Sequence, residues 1–143
     1  MAQIDSVIGK DFTKKVIPLI NSAQKTIKII VFDWRWYPND PANPCQQFNH
    51  AILTAKNRGV EIKVITNVDN VVNVLNQQGC RAKHPVTKKL IHAKIMIIDE
   101  KHLIIGSHNY TQSAFTMNQE ASLIVRDFLE ISPFIDFFNN LFL

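Results

Sequence analysis

The chain has 143 residues, 46% of them hydrophobic and 20% charged, with 16 Lys or Arg against 12 Asp or Glu and a formal net charge of +4. That composition excludes a disordered tail and fits a single domain, residues 1–143, around one core. Cys45 and Cys80 lack both metal-ligand spacing and the density of a disulfide-stapled secreted domain, which leaves two buried thiols or one disulfide.

The opening stretch MAQIDSVIGKDFTKK has no long apolar run followed by a cleavage signal. No segment reads as a membrane span of about 18 apolar residues, so stable membrane insertion is not expected. The compartment stays open, cytoplasmic or exported after loss of a leader. Asp11 can cap a helix over 12–23, with Phe12, Val16, Ile20 and Ala23 on one stripe. Pro18 lacks an amide donor and predicts a kink or a shorter helix. Residues 26–32 read as a nearly all-apolar strand, and 33–43, rich in Pro and Asn, as a loop. Asn43 before Pro44 is a helix start, with Phe48, Ala51, Ile52 and Ala55 on the buried face and Gly59 as the stop. Residues 60–66 return as a strand and complete a unit of the kind that gives parallel pairing.

A short amphipathic helix carrying Val71, Val72 and Leu75 ends by Gly79, a brief strand follows over 81–84, and 85–90 is a basic loop. Two branched apolar runs, 94–98 and 102–105, predict a hairpin closed by a tight turn at Asp99, Glu100 and Lys101. A polar connection over 111–119 leads to a strand over 120–126, where Ala121, Leu123 and Val125 alternate. Ser132 and Pro133 open a final helix whose Phe134, Phe137, Phe138 and Leu141 supply an apolar surface for the core or for a dimer. The fold class is therefore α/β, a central mixed β-sheet flanked by helices in two or three layers.

On a strand, His92 and Lys94 point to the same side. If the two runs form a hairpin, Gly106, Ser107, His108 and Asn109 return towards the start of the first, and Ser107 and Asn109 approach His92 and Lys94. An imidazole beside an ammonium and two neutral hydrogen-bonding groups suits an anionic electrophile such as a phosphodiester. His84, His102 and His108 make no zinc spacing with Cys80 or His92, and a lysine inside the cluster opposes cation binding, so no metal and no cofactor are expected.

The pattern His92-x-Lys94, four residues, Asp99, six residues, Gly106-Ser107-x-Asn109, then Glu120 resembles the phospholipase D superfamily, in particular its short phosphodiesterases and nucleases with one motif per chain. The resemblance implies metal-independent hydrolysis through a phosphohistidine on His92, with Lys94 and Asn109 on the non-bridging oxygens and Ser107 bonded to phosphate or histidine. It implies that Glu120 holds the histidine's other nitrogen. Because a complete centre in that superfamily uses two motifs, it also implies a symmetric homodimer with a shared active site. Asp99, at the far end of its strand, and Gly106 are expected to be structural.

Six basic residues, Arg81, Lys83, Lys88, Lys89, Lys94 and Lys101, lie between Cys80 and His102 against Asp99 and Glu100, and the remaining charges balance. All the net charge thus sits in or beside the candidate site, where it can hold a phosphate backbone. Arg81, Lys83, Lys88 and Lys89 are the candidate nucleic-acid contacts, and Trp34, Trp36 and Tyr37 are candidate stacking platforms, with core packing as their alternative. The leading expectation is an endonuclease acting on DNA or RNA with little sequence specificity. The alternatives are a phospholipase D-type lipid hydrolase and a non-catalytic nucleic-acid-binding protein.

Overall fold

The computed structural model describes residues 3–143. A mixed sheet of seven strands, β1 (Ile4–Ile8), β2 (Thr26–Val31), β3 (Glu61–Thr66), β4 (Arg81–Lys83), β5 (Ile95–Ile98), β6 (His102–Gly106) and β7 (Ala121–Val125), runs in the order β1-β7-β6-β5-β2-β3-β4. Helices are α1 (Asp11–Ser22), α2 (Pro44–Asn57), α3 (Asp69–Gln77), α4 (Gln112–Thr116) and α5 (Phe128–Leu141). Strands β2, β3 and β4 are parallel, joined through α2 and α3, and every other pairing is antiparallel. A side-chain period of two sends Ile27, Ile29 and Val31 to one face and Ile30 to the other. Both faces are covered, the first by α1 to α4 and the second by α5, so the arrangement is three-layered.

Several boundaries differ from the sequence reading, each for a local reason. Helix α1 continues through Pro18 because that residue is exposed, and the Lys14 carbonyl it leaves without a donor is on the side water can reach. Strand β1 has no counterpart in the sequence reading. Only its Val7 is buried, and its pairing is with β7 at the other end of the chain. The connection after Asn109 contains α4, capped by Thr111 Oγ1 accepting from Ala114 N at 3.1 Å and held by buried Ala114 and Phe115. Helix α5 starts a turn earlier than expected because Asp127 Oδ1 accepts from Leu129 N at 3.0 Å, which puts Pro133 inside the helix.

Two features of this frame shape the site. The β5–β6 hairpin turns on Asp99 and Glu100, with φ of 53° and 58°, the left-handed pair that matches strand twist. Helix α5 covers Ile95, Ile97 and Leu103 but stops short of the β1–β7 edge. There Ile4 (56%), Ile8 (59%) and Leu123 (43%) stay exposed, beside half-buried Ile105. Cys45 and Cys80 are separate buried thiols, burial pushing the first up to about 12 and the second to about 11.

Candidate active site

Strand β5 begins at Ile95, so His92 and Lys94 precede it rather than sit on it. The pair still meets. Lys94 Nζ lies 3.0 Å from His92 Nδ1 and 3.0 Å from the His92 carbonyl. His92 is exposed, and its ring leans on Phe32 at 4.6 Å between centroids. Burial pulls the Lys94 ammonium below its ordinary value, and the Glu120 charge opposes that shift. A charged lysine can only donate, so in this arrangement Nδ1 is the acceptor and the imidazole proton resides on Nε2.

The Gly106-Ser107-x-Asn109 segment is fixed from three sides. Gly106 pairs with Ser122 at the end of β6, and a Cβ there would come within 2.2 Å of Ser122 Oγ and 2.4 Å of the Ala121 carbonyl, so only glycine fits. Ser107 Oγ donates to Glu120 Oε1 at 2.5 Å and accepts from Ala121 N at 2.9 Å. Asn109 Oδ1 accepts from Asp33 N at 3.0 Å, which leaves the amide Nδ2 as the group this side chain can offer a ligand. Tyr110 N donates to the Asp33 carbonyl at 3.0 Å and Arg35 N to the Tyr110 carbonyl at 2.9 Å, so the loop after β2 is zipped to the motif.

Glu120 differs from the sequence expectation. Its oxygens are taken by Ser107 Oγ and, at 3.1 Å, by Asn118 Nδ2, not by His92. Asp99 sits at the hairpin tip, where its carboxylate accepts from Gln24 N at 2.9 Å, Lys25 N at 2.7 Å and Thr26 N at 3.0 Å. Partial burial raises this carboxyl, but the three amides and Lys101 outweigh it and hold it below the ordinary carboxylate value.

Trp34 is not a stacking platform. It is 0% exposed, its Nε1 donates to Asn49 Oδ1 at 2.6 Å, and its ring packs on Phe48 and Tyr110. Trp36 and Tyr37 are half-buried against the same core, and Tyr37 Oη accepts from Gln112 N at 3.0 Å. Lys83 Nζ donates to the carbonyls of Phe142 (2.7 Å) and Leu143 (3.0 Å), and Arg81 lies over the Phe142 ring at 5.4 Å. Both are therefore engaged with the end of α5. Lys88 and Lys89 are exposed, and Lys89 borders a hollow that also touches His92.

His108 carries a positioning role that the motif's spacing does not reveal. It is 1% exposed, with Nδ1 2.7 Å from Ser122 Oγ, Nε2 2.8 Å from the Gly9 carbonyl and its ring 4.6 Å from Phe12. A carbonyl requires a donor, so Nε2 bears the proton and Ser122 donates to Nδ1. Among the described residues no group of three or more His, Cys, Asp or Glu converges on a point suited to a metal ion.

The three-layer fold and the single His-x-Lys site define a phospholipase D-type domain of the single-motif kind. A family model described as the cardiolipin synthase, phospholipase D-like domain matches residues 16–142, and the chain belongs to that family. It is 31% identical over 101 residues to the mitochondrial cardiolipin hydrolase of Mus musculus, covering 66% of this chain and 46% of the relative. To the Canis lupus familiaris protein of the same name it is 30% identical over 139 residues, covering 93% of this chain and 51% of the relative. The chain thus spans about half the length of the curated relatives it matches. In fold it is similar to NucT from Helicobacter pylori, with a TM-score of 0.79, 19% identity and coverage of 96% of this chain and 94% of that one. Nuc from Salmonella typhimurium, a phospholipase D family member, gives a TM-score of 0.80 at 19% identity, covering 96% of this chain and 93% of that one.

Proposed function

We propose that this chain is a metal-independent phosphodiesterase that hydrolyses a glycerophospholipid of the cardiolipin class through a phosphohistidine on His92. The observation that carries the reading is the setting of His92 at the edge of an open hollow of about 230 Å³ lined by Leu90, Ile91, Ala93, Phe137 and Leu141 together with Thr87 and Lys89. Largely apolar walls beside a phosphate-attacking imidazole suit an ester whose alcohol carries acyl chains. The names of the mouse and dog relatives point the same way. This reverses the order of the sequence expectations, in which the nuclease came first.

His92 attacks phosphorus through Nε2, Lys94 and the Asn109 amide hold the non-bridging oxygens, and negative charge accumulating on them is stabilised. In the free state Lys94 donates to Nδ1 and the proton is on Nε2, so the neutral ring has no lone pair at Nε2 with which to attack. An arriving phosphate draws the Lys94 ammonium onto its oxygens and frees Nδ1 to carry the proton instead, which exposes the Nε2 lone pair. A second His92, from the other subunit of a two-fold dimer, acts as the imidazolium, protonated on both ring nitrogens, and gives its Nε2 proton to the leaving alkoxide, which returns it to the neutral ring. It then takes a proton from the water that attacks phosphohistidine, and the cycle closes with phosphate monoester and free alcohol. Ser107 and Glu120 serve as a braced pair that fixes the motif loop.

The uncovered strip of Ile4, Ile8, Ile105 and Leu123 supports the dimer. Ile8, Ile105 and Leu123 line a shallow hollow that also takes in Gly106, the residue before Ser107, so a second copy seated there would lie beside the half-site. A nucleic-acid substrate is the second reading, favoured by exposed Lys88 and Lys89 near His92. The deciding experiment offers cardiolipin, single-stranded and double-stranded DNA, and RNA with excess EDTA to the native protein and to His92→Ala. EDTA-resistant cardiolipin hydrolysis, lost in the variant, is the expected result. Cleavage of nucleic acid alone would install the nuclease, and binding of nucleic acid without turnover in either protein would leave a binding protein.

A further inference from the structure

The segment between β4 and β5 carries no helix or strand, and the mechanism above uses only its final residues. Ahead of His92 it presents Val86, 69% exposed, and Leu90, 71% exposed, with Lys88 and Lys89 exposed between them. The bond from Lys89 N to Thr87 Oγ1, 3.1 Å, ties the backbone into a local bend around these side chains. Two large aliphatic groups kept in water forgo the burial that drives folding, although Ile91 directly beyond them is 8% exposed and packs with Phe138 and Phe142. Leu90 and Lys89 also border the hollow at whose edge His92 stands.

We propose that residues 85–90 are a membrane-docking loop, in which Val86 and Leu90 enter the interfacial layer of an anionic bilayer while Lys88 and Lys89 meet its headgroups. The inference rests on the phospholipid reading above and names how that substrate is reached. The loop itself carries Lys88 and Lys89 and no acidic residue, which is complementary to an acidic lipid surface. Two aliphatic side chains on a six-residue loop reach only the interfacial layer of a bilayer.

Other occupants fit less well. A single nucleic-acid strand gains from planar rings on which bases stack, and Val86 and Leu90 offer none. A duplex backbone would take the two lysines but leave both aliphatic groups in water. A second copy of the chain would set like charges against each other at Lys88 and Lys89, whereas the strip at Ile8, Ile105 and Leu123 carries no such penalty. A bilayer satisfies the apolar and the cationic groups together, and it brings His92, two residues beyond Leu90, to the depth of the lipid phosphodiester.

The test is flotation with vesicles of phosphatidylcholine, alone or mixed with phosphatidylglycerol, in a His92→Ala background so that no lipid is consumed. Val86→Ser combined with Leu90→Ser is compared with the parent. The parent is expected to bind the mixed vesicles and lose binding as salt rises, and the double variant to bind about tenfold or more weakly. With His92 intact, Val86→Ser alone, which lies outside the hollow beside His92, should hydrolyse vesicle lipid more slowly and keep its rate on soluble bis(p-nitrophenyl) phosphate and its sedimentation as a dimer. Unchanged vesicle binding would overturn the proposal. So would conversion to a monomer, or a loss confined to oligonucleotide binding. Weakened vesicle binding in a protein that turns over no lipid in any form would uphold the docking loop while refuting the substrate reading.

Discussion

Asp99 belongs to the motif by sequence and to the scaffold by geometry, and replacing it separates the two. Its carboxylate takes three backbone amides from the turn between α1 and β2, two at exposed positions and the third, from Thr26, part-buried. Water replaces the exposed bonds at a loss of about 0.5 kcal/mol each, and the charge-assisted, part-buried one is worth about 1.5 kcal/mol. Asp99 also holds φ at 53°, where alanine costs about 1 kcal/mol more than a short polar residue. Asp99→Ala should therefore lower stability by about 3–4 kcal/mol and Tm by about 10 °C. Asp99→Asn keeps an acceptor and tolerates the left-handed backbone, so its loss should be about 1 kcal/mol. Urea denaturation followed by tryptophan fluorescence measures both, and turnover is then normalised to folded protein. Each variant should retain kcat within about twofold, because 1.4 kcal/mol in the barrier would already be tenfold. A fall in kcat of two orders of magnitude in fully folded Asp99→Asn, with unchanged stability, would refute the scaffold role.

Gly106→Ala drives a methyl group into Ser122 and the Ala121 carbonyl, and overpacking against backbone should cost about 3 kcal/mol in denaturant and displace the Ser107 loop. Trp34→Ala removes a fully buried ring and its bond to Asn49, so stability should drop by about 4 kcal/mol. Oligonucleotide binding per folded molecule should not change, as a fluorescence-anisotropy titration would reveal. Burial holds His108 below its ordinary 6.5, against the pull of the Gly9 carbonyl and Glu120. The unfolded state therefore takes up a proton first as pH falls through 6.5, and stability declines from there down to the folded pKa, while above 6.5 neither state is affected. His102, lowered by burial and by Arg126, adds to the same window. Urea midpoints measured from neutral pH downwards should show a shallower decline in His108→Gln than in the native protein.

The sequence by itself determined what local chemistry controls. Alternation and apolar runs marked β2, β3, β5, β6 and β7, and the Asn43–Pro44 start marked α2, since its Asn43 Oδ1 accepts from Cys45 N at 2.8 Å. The order of strand, helix and strand gave the parallel β2–β3 pair, and the spacing from His92 to Glu120 singled out the motif region. Only the tertiary structure decided matters that depend on partners distant in the chain. Strand β1 exists because β7 is there to pair with it, and Trp34 is core because Asn49 and Tyr110 close around it. Glu120 braces Ser107 because Gly106 brings β6 against β7, and Asp33, far from the motif in sequence, orients Asn109 with a backbone amide that no side-chain pattern could disclose. Likewise a row of apolar residues reads alike whether it faces a helix or water. The reach of α5 across the sheet is what buried Leu103 and left Leu123 exposed, because one helix covers only the strands beneath it.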